Sequence, residues 1–324
     1  MIEQMKIFVS GGSGHIGSSL VERLVRYGHE VTNFDIEYPK YRELIQGKEL
    51  LFRADIRDYN AVKSAMPDHE VVFHLAAMPY IPDGYLQPRD MVETDMIGTL
   101  NMLLAAKEVG VKHFIHFSSS ETYGSAKYVP MDEKHPTEPI STYAVAKLGA
   151  DRLAHTFGHE QKLPFTILRQ FNVIGERDTH HRIAPYIVSE LVEGRTNIKL
   201  GHSGSSRDFT YVEDVADACV KCINNKKALG ETINIGTGKT YKGYEIAYLV
   251  AQKLNIPRIT FELDKLQVRP LDVDVLCAAN YKAERLLGWR PKVGLSEALN
   301  KLIEWRKRNR WTWEGYYLNY KYRA

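Results

Sequence analysis

A glycine-rich turn near the start of the chain constrains its fold more than any other feature. Gly12-x-Gly14-x-x-Gly17 directly follows the apolar run Lys6–Val9 and opens an amphipathic stretch, Ile16–Tyr27. Such a turn must be tight, must let the backbone approach a ligand, and must bring the helix close to the sheet. The sequence therefore predicts a strand, a glycine turn and a helix as the first unit of an α/β fold.

Short apolar runs then alternate with helical stretches through the first half of the chain. The two long helical stretches are Met91–Val109 and Thr142–Glu160. The further predicted strands are Glu30–Asp35, Leu50–Phe52, Glu70–Leu75, His113–Phe117 and Phe165–Leu168. Strands that alternate with helices are typical of βαβ units with right-handed crossovers, and the simplest result is a doubly wound parallel sheet.

The regular alternation ends roughly halfway along the chain, whose 324 residues suffice for about two domains. The helix predicted over Val212–Asn224 and the strand predicted over Thr232–Ile235 still resemble parts of the sheet. We therefore predict that residues 1–172, with returning segments near 208–238, form the sheet domain. Residues 173–324 are predicted to form mainly a smaller, interleaved, mixed α/β domain.

An acidic residue at the end of the second predicted strand completes the pattern begun by the glycines. Asp35 lies about 20 residues beyond them, where a carboxylate can bind both hydroxyls of a ribose. The free N–H groups at the start of the first helix favour phosphates. The pattern predicts a bound dinucleotide. Because the acid repels a 2′-phosphate, NAD is favoured over NADP, and a reductase that uses free NADPH is disfavoured. Asp55 and Ile56 are either adenine contacts or a surface turn.

A tyrosine and a lysine one helical turn apart form the candidate catalytic pair. Tyr143 and Lys147 share a helix face, and a lysine cation beside a phenol lowers its pKa, so the tyrosine can act as a base. Ser118–Glu121 follows the fifth strand, at the sheet edge where ligands bind in open α/β folds. A serine hydroxyl there can hydrogen-bond a reacting hydroxyl. The alternatives are an ordinary exposed pair and a serine-rich turn.

Together these motifs resemble the extended short-chain dehydrogenase/reductase family, in its nucleotide-sugar epimerase and dehydratase branch, over nearly the whole chain. The motifs that carry the resemblance are Gly11–Gly17, His74–Ala77, Gly98–Asn101, Ser118–Gly124, Tyr143–Lys147, Arg169–Gly175, Arg207–Val212 and Arg269–Asp272. The resemblance implies a Rossmann-type fold, bound NAD and a nucleotide-diphosphate sugar as substrate. It also implies a homodimer in which the Met91–Val109 helix and the Tyr143 helix pack across a two-fold axis.

The resemblance implies roles for individual residues around the cofactor. Tyr143 is similar to the family's catalytic base, Lys147 to the partner that also holds the nicotinamide ribose, and Ser119 to the catalytic Ser or Thr. The residues implied to bind the cofactor are Gly11, Gly14, His15, Ile16, Gly17, Asp35, Asp55, Ile56, Leu75, Ala76, Ala77, Tyr143 and Lys147.

Substrate binding is implied for four further residues. Asn172 resembles a residue that contacts the sugar diphosphate, Arg207 and Arg269 resemble arginines that bind the diphosphate, and Asp272 resembles a residue that binds the nucleotide's ribose. Two planar cations suit a pyrophosphate. One departure stands out, because Asp95 occupies the position of the Asn that usually precedes the family's Gly-Thr.

The implied chemistry begins when Tyr143 takes the proton of a sugar hydroxyl, usually at C4, while NAD accepts the hydride. A 4-epimerase of a UDP-hexose or UDP-hexuronate returns the hydride to the other face, and family frequency favours this reaction. Glu121 keeps two alternatives open, because nucleotide-sugar 4,6-dehydratases use a Glu here as the C5 base and UDP-glucuronate decarboxylases also carry one. Ser120 stands where many dehydratases have Asp. A non-catalytic NAD-binding regulator is an outside alternative, and GDP, dTDP and CDP sugars remain open.

Composition excludes several other classes of protein. A net charge of +3 is too small to require nucleic acid, and no run reaches the roughly 18 apolar residues of a membrane span. Three cysteines are too few for a disulfide framework and fit a reduced cytoplasm. The start of the chain lacks the layout of a signal peptide. We therefore expect a cytoplasmic protein that binds neither nucleic acid nor a membrane.

Two cysteines and the C-terminal segment have simple structural interpretations. Cys219-x-x-Cys222 lies inside a predicted helix and is interpreted as two buried core thiols rather than a redox or metal motif. The basic and aromatic segment Glu304–Ala324 is predicted to be a terminal helix and tail packed on the surface.

A cluster of basic residues follows the Asn172 strand. His180 and His181, with Arg177 and Arg182, either bind a phosphate or a uronate carboxylate or belong to a solvated loop. Since no third metal ligand is identified there, no metal is predicted.

Overall fold

The structure, a computed structural model, describes residues 4–178, 182–201, 204–264 and 271–309. Its centre is a parallel sheet of seven strands, which are β1 (Lys6–Ser10), β2 (Glu30–Asp35), β3 (Glu49–Arg53), β4 (Val71–His74), β5 (His113–Ser119), β6 (Phe165–Gln170) and β10 (Glu231–Ile235). Their order across the sheet is β10-β6-β5-β4-β1-β2-β3. The order reverses between β1 and β4, and in doubly wound sheets ligands bind at the carboxyl ends of strands beside such a reversal. The predicted doubly wound α/β sheet is confirmed.

Helices cover both faces of this sheet. On one face α1 (His15–Arg26) packs against α8 (Val212–Val220). On the other face lie α2 (Tyr59–Ala65), α5 (Gly98–Val109) and α6 (Thr142–Glu160). β5 is therefore buried along its whole length, including its two histidines and two serines, so its apolar and polar residues do not alternate.

The predicted helix Met91–Val109 contains a π-helical segment before α5. The chain forms α4 (Pro88–Val92) and then a five-residue π-helix, Glu93–Ile97. The Thr99 hydroxyl donates a 2.6 Å hydrogen bond to the carbonyl of Asp95, and such a bond competes with the regular backbone ladder of a helix. The predicted long helix is therefore confirmed over its whole length, and the π-helical turn within it was not predicted.

The remaining elements form the smaller mixed α/β part that the sequence predicts. Its strands are β7 (Asn172–Ile174), β8 (Asn197–Leu200), β9 (Ser206–Tyr211), β11 (Thr240–Lys242), β12 (Thr260–Leu263) and β13 (Val275–Leu276). The remaining helices are α3 (Asp83–Leu86), which precedes α4, and α7 (Ile183–Val192), α9 (Gly243–Lys253), α10 (Tyr281–Leu287) and α11 (Leu295–Arg308). β9 pairs with β7, β11 and β13, and β8 pairs with β12. Because α8 and β10 return to the main sheet, the two parts are interleaved, whereas the boundary at residue 172 stays a prediction.

Predictions outside the sheet have different outcomes. The helix predicted to reach Asn224 ends at Val220, and Asn224 itself has a left-handed φ of 55°. Cys219 and Cys222 are fully buried, and their thiols donate to backbone carbonyls of the preceding turn, so the prediction of core thiols is confirmed.

Most of the predicted tail, residues 310–324, lies outside the described residues. Among the helices of the described ranges, none is long and apolar enough to cross a bilayer.

Candidate active site

One large cavity opens at the carboxyl ends of the central strands, with a volume of about 980 Å³. The predicted cofactor-binding residues that line it are Gly11, Gly14, His15, Ile16, Gly17, Asp35, Asp55, Ile56, Leu75, Ala76, Ala77, Tyr143 and Lys147. The other predicted site residues that line it are Ser119, Ser120, Glu121, Asn172, Arg207 and Asp272. Arg269 lies outside the described residues. The structure thus brings these residues to one cavity, while the role of each stays a prediction.

The glycine turn forms a bare backbone cradle in this cavity. Gly11 has a left-handed φ of 74°, and a Cβ there would lie 2.7 Å from the backbone N of Ala76. A Cβ at Gly17 would lie 2.0 Å from the carbonyl oxygen of Gly11, so neither position accepts a side chain. Gly14 precedes α1, and within the described ranges no side chain caps the helix there. These uncapped N–H groups and the positive end of the helix fit the pyrophosphate of a dinucleotide.

Asp35, at the end of β2, lines the cavity beside the glycine turn. Its carboxylate accepts hydrogen bonds from the backbone N–H groups of Ser13 (3.0 Å) and Glu37 (3.1 Å). Burial raises the pKa of Asp35, and these hydrogen bonds offset part of the rise. A carboxylate held here suits ribose hydroxyls and disfavours a 2′-phosphate. Sequence reasoning missed the irregular loop that follows, which has no periodic signal and lines the cavity with Glu37, Tyr38, Lys40 and Tyr41.

The turn after β3 forms a further part of the cavity wall. The Asp55 carboxylate accepts two hydrogen bonds from the Arg57 guanidinium, at 2.7 and 2.9 Å. Ile56 is buried, and its carbonyl accepts a 2.9 Å hydrogen bond from Asn101 Nδ2 on α5. The turn is therefore held firmly at the wall, and its contact with an adenine stays a prediction.

The candidate base is positioned by the start of α6. The Ser141 hydroxyl accepts a 3.2 Å hydrogen bond from the Ala144 N–H, which caps the helix and places Tyr143 in its first turn. Ser119 is the last residue of β5, and its side chain lies near enough to the Tyr143 phenol to lower the pKa of that phenol. The sheet edge and the helix start thus bring together a phenol and a hydroxyl that can share one reacting oxygen.

Lys147 lies one turn further along α6 and is buried. Its Nζ donates a hydrogen bond to the backbone carbonyl of Phe117 on β5. Burial raises the pKa of Tyr143, the negative charge of Asp95 raises it further, and the hydrogen bond with Ser119 offsets part of the rise. Burial also lowers the pKa of Lys147. In this structure the pKa of Tyr143 is therefore raised, mainly by burial, and the lowering predicted from the sequence is not seen.

Asp95, the departure from the family pattern, is 1% exposed and lies on the π-helix. Its Oδ1 accepts a 2.7 Å hydrogen bond from the Met78 N–H, whereas Oδ2 has no hydrogen-bond partner among the described residues. Burial raises the pKa of Asp95 to about 6, although the Lys147 cation opposes the rise. The sequence singled out this residue as a departure from the family pattern, but its burial beside the candidate catalytic pair is visible only in the structure.

Glu121 and Ser120 belong to the 3₁₀ helix Ser120–Tyr123 that follows β5. Its first turn is capped by Ser119, whose Oγ accepts a 3.2 Å hydrogen bond from the Glu121 N–H. Ser120 is buried, and Glu121 is half-buried and close enough for its charge to raise the pKa of Tyr143. A second acid/base group thus lies in the same cavity as the phenol.

Two of the predicted substrate-binding residues come from strands of the smaller part, and Asp272 lies in the loop before β13. β7 pairs with β9, so that Asn172 on β7 and Arg207 on β9 belong to the same sheet. Arg207 is buried, and its Nη2 donates a 3.0 Å hydrogen bond to Asp272 Oδ1. Arg182, at the start of α7, also lines the cavity. The cavity therefore combines buried and half-buried cations suited to an anionic substrate.

The basic cluster after β7 is only partly described. Arg177 lines the cavity and donates a 2.7 Å hydrogen bond to Glu22 on α1, which ties the loop to the sheet domain. His180 and His181 lie outside the described residues, so their predicted anion contact stays a prediction.

Comparison with known proteins places the chain in a family. The family model described as GDP-mannose 4,6 dehydratase matches residues 8–302. The chain is 28% identical over 326 residues to the UDP-glucose 4-epimerase of Lactobacillus helveticus, covering 94% of this chain and 97% of that protein. It is 28% identical over 324 residues to the dTDP-D-glucose 4,6-dehydratase of Homo sapiens, covering 96% and 92%.

A solved structure extends the comparison to the fold. The UDP-glucuronic acid 4-epimerase from Bacillus cereus, in complex with UDP-glucuronic acid and NAD, has a TM-score of 0.86 at 27% identity and covers 94% of this chain and 99% of its own. The family model spans both the sheet and most of the smaller part. The resemblance inferred from the motifs is confirmed, and the chain belongs to the GDP-mannose 4,6-dehydratase family of NAD-dependent nucleotide-sugar epimerases and dehydratases.

Proposed function

We propose that this chain catalyses the NAD-dependent 4-epimerisation of a UDP-hexose or UDP-hexuronate through a transient 4-keto sugar. The observation that carries the proposal is that Tyr143 and Ser119 share one cavity with the glycine cradle, Asp35 and Arg207. Residues suited to a dinucleotide and residues suited to a sugar diphosphate therefore border the same proton-transfer pair. The similarity to proteins named UDP-glucose and UDP-glucuronic acid 4-epimerases supports this choice of substrate.

The chain's own residues supply proton transfer and orientation. When bound, NAD supplies the hydride acceptor and donor at the sugar carbon. Tyr143 takes the proton of the C4 hydroxyl and later returns one to the inverted oxygen, while Ser119 holds that oxygen by a hydrogen bond. The Lys147 cation favours the phenolate form of the tyrosine. Because each transfer is reversed within one turnover, the reaction causes no net redox change.

The smaller part binds the rest of the substrate in this proposal. Arg207 binds the diphosphate, Asn172 contacts the sugar diphosphate, and Asp272 binds the ribose of the nucleotide. Arg207 is already oriented by its hydrogen bond to Asp272, so little side-chain freedom is lost when the anion binds. Arg269, which the family pattern adds to this set, lies outside the described residues.

A 4,6-dehydratase is the second candidate, and the position of Glu121 favours it. Glu121 lines the cavity within electrostatic range of Tyr143, and such a carboxylate can take the C5 proton once C4 is a ketone. The same position would serve a UDP-glucuronate decarboxylase. A regulator that binds NAD without turnover is the outside candidate, and a retained phenotype of the Tyr143→Phe variant would identify it.

Mass spectrometry in heavy water separates these candidates. The purified protein is incubated without added cofactor with UDP-, GDP-, dTDP- and CDP-sugars. We expect a UDP-sugar product of unchanged mass, altered retention and no carbon-bound deuterium, which is the signature of 4-epimerisation. Loss of water with deuterium kept on carbon identifies a dehydratase, and loss of carbon dioxide identifies a decarboxylase. Conversion of no sugar in the panel contradicts the proposal.

Variants of two glutamates decide the role of Glu121. Glu121→Gln leaves 4-epimerisation within a few-fold of the parent but abolishes dehydration, since only dehydration needs a base at C5. Glu138→Gln is the matched control, because Glu138 is exposed and pairs with Lys127 outside the cavity. If Glu121→Gln loses epimerisation as well as dehydration while Glu138→Gln keeps its activity, Glu121 acts in the oxidation at C4 that both reactions share.

We also propose that the chain is a cytoplasmic homodimer. The π-helix and the two helices implied at the two-fold axis expose apolar side chains at Ile97 (43%), Leu104 (38%) and Val145 (53%), which a second copy would cover. All three cysteines are buried free thiols, which fits a reducing compartment. Sedimentation of the parent and of Val145→Glu tests the dimer, with a monomer expected for the variant, and cell fractionation tests the compartment.

A further inference from the structure

A buried carboxyl beside the candidate base has no role in the chemistry described so far. The Asp95 side chain is almost completely enclosed, and its Oδ2 lacks a hydrogen-bond partner among the described residues. Leaving a buried acceptor unpaired costs free energy, so such a group needs an explanation. An Asn in this position would present a fixed amide donor, whereas a carboxyl is a donor when protonated and a negative charge when ionised.

The π-helix that carries Asp95 is pressed against α6. Gly149 on α6 has no room for a side chain, because a Cβ there would lie 2.8 Å from Met96 Sδ on the π-helix. The Asp95 backbone is held from the opposite side by Thr99, whose hydroxyl donates to its carbonyl and accepts from His74 Nε2 at 2.9 Å. The carboxyl is therefore held rigidly at the α6 surface.

The charges around Asp95 come mainly from α6. Lys147 is the cation whose field acts on the Asp95 carboxyl, and Asp95 in turn acts on both Lys147 and Tyr143. Asp151, one turn beyond Lys147, also acts on the lysine but is already bonded to Arg169.

The other elements packed against the π-helix contribute little charge at Asp95. On α4, Arg89 is exposed and pairs with Glu93, and Asp90 pairs with Arg57. The charged groups of α5, Lys107 and Glu108, lie at its far end. His74 on β4 is buried, and burial lowers its pKa well below the usual value, so it is neutral.

We propose that Asp95 is an ionisable positioning residue that sets how readily Tyr143 becomes a phenolate, because its ionised carboxylate repels the negative charge of that phenolate. With Asp95 protonated, this repulsion is absent. With Asp95 ionised, the phenolate is disfavoured. The pKa of Asp95, raised by burial to about 6, puts this change near neutral pH. The inference rests on the proposed function, since it assigns a control to that site.

The pH dependence of kcat/KM tests this role in the NAD-loaded enzyme. For the sugar nucleotide that the parent converts, we expect the rise of kcat/KM with pH to move to lower pH by about one unit in Asp95→Asn. Glu93→Gln is the matched control, because it makes the same acid-to-amide change on the same π-helix at a half-exposed side chain that pairs with Arg89. A purely structural role would lower kcat/KM equally at every pH, and that result, or identical profiles in all three proteins, overturns the proposal.

A second measurement needs no turnover and so separates this inference from the proposed function. Tyrosine labelled at Cζ is incorporated, and the Tyr143 resonance is assigned by its loss from Tyr143→Phe. We expect Tyr143 in the NAD-loaded protein to titrate at lower pH in Asp95→Asn than in the parent or in Glu93→Gln. If no sugar is converted, the proposed function fails, but this titration still tests whether Asp95 controls the ionisation of Tyr143. Asp95→Ser repeats both tests if Asp95→Asn does not fold, and an unmoved Tyr143 titration overturns the proposal.

Discussion

The guanidinium of Arg207 donates a 3.0 Å hydrogen bond to the carboxylate of Asp272, which lies 65 residues later in the chain. The same guanidinium donates to the backbone carbonyls of Ser206 and Asp274, and both side chains line the active-site cavity. The cation is thus oriented before a substrate arrives. A pre-oriented guanidinium binds a diphosphate with less loss of side-chain entropy than a mobile one.

Removal of this guanidinium should weaken substrate binding without slowing the chemistry. For Arg207→Ala we expect KM for the sugar nucleotide to rise at least about tenfold, since hydrogen bonds to charged groups contribute about 1.5–3 kcal/mol, while kcat changes by a few-fold at most. Steady-state kinetics measure both constants. Arg290→Ala is the control, because Arg290 is 74% exposed and pairs with Glu284 outside the cavity. An unchanged KM would remove Arg207 from the binding site.

Loss of the Tyr143 hydroxyl should abolish turnover and leave the cofactor site intact. We expect kcat for Tyr143→Phe to fall by about 10²–10⁴-fold, the usual contribution of a positioned acid–base group. NAD released on denaturation, measured by mass spectrometry, should match the parent. Tyr128→Phe is the control, since its exposed hydroxyl bonds to Asp132 away from the cavity. Activity retained in Tyr143→Phe would mean that another group is the base.

A methyl group at Gly17 should destroy the phosphate cradle. Because its Cβ would lie 2.0 Å from the Gly11 carbonyl oxygen, backbone must move, and we expect Gly17→Ala to lose about 1–3 kcal/mol of stability together with bound NAD. Thermal unfolding and NAD content measure the two effects. Gly294→Ala is the control, as no atom lies within 4 Å of the Cβ added there. Retention of NAD by Gly17→Ala would contradict the assigned cradle.

The buried Asp95 should also make stability depend on pH. The pKa of Asp95 is raised from 3.8 to about 6 in the folded state. The contribution of Asp95 to the free energy of unfolding is therefore fully present below about pH 4 and is lost as the pH rises through about 6. From pH 4 to 7 the unfolding free energy of Asp95→Asn should therefore gain on that of the parent, by up to about 3 kcal/mol. Denaturant unfolding at a series of pH values measures the difference. Glu93→Gln is the control. If the unfolding free energies of Asp95→Asn and of the parent changed in parallel with pH, Asp95 would not ionise in this range.

Most strands of the sheet were predictable because helices cover both of its faces, and strands buried on both faces have short apolar runs in the sequence. β5 and β6 are continuous buried runs, and the glycine turn with Asp35 marks the start of the fold. The π-helix before Gly98 was not predicted, because the sequence there continues an otherwise regular helical pattern; only the structure shows the Thr99 hydroxyl bonding the Asp95 carbonyl within it. The loop from Glu37 to Tyr41 reaches the cavity without any periodic signal.

By itself, the sequence determined the fold class and the preference for NAD, and it supplied the candidate proton-transfer residues, because glycine spacing, an acid at a strand end and an i,i+4 pair are local patterns. The tertiary structure decided the electrostatics of that pair. Lys147 bonds to the Phe117 carbonyl, and Asp95 is enclosed beside it, through contacts between segments that are distant in sequence. Burial, which sets the pKa of Tyr143, is a property of the packed molecule and of no segment alone.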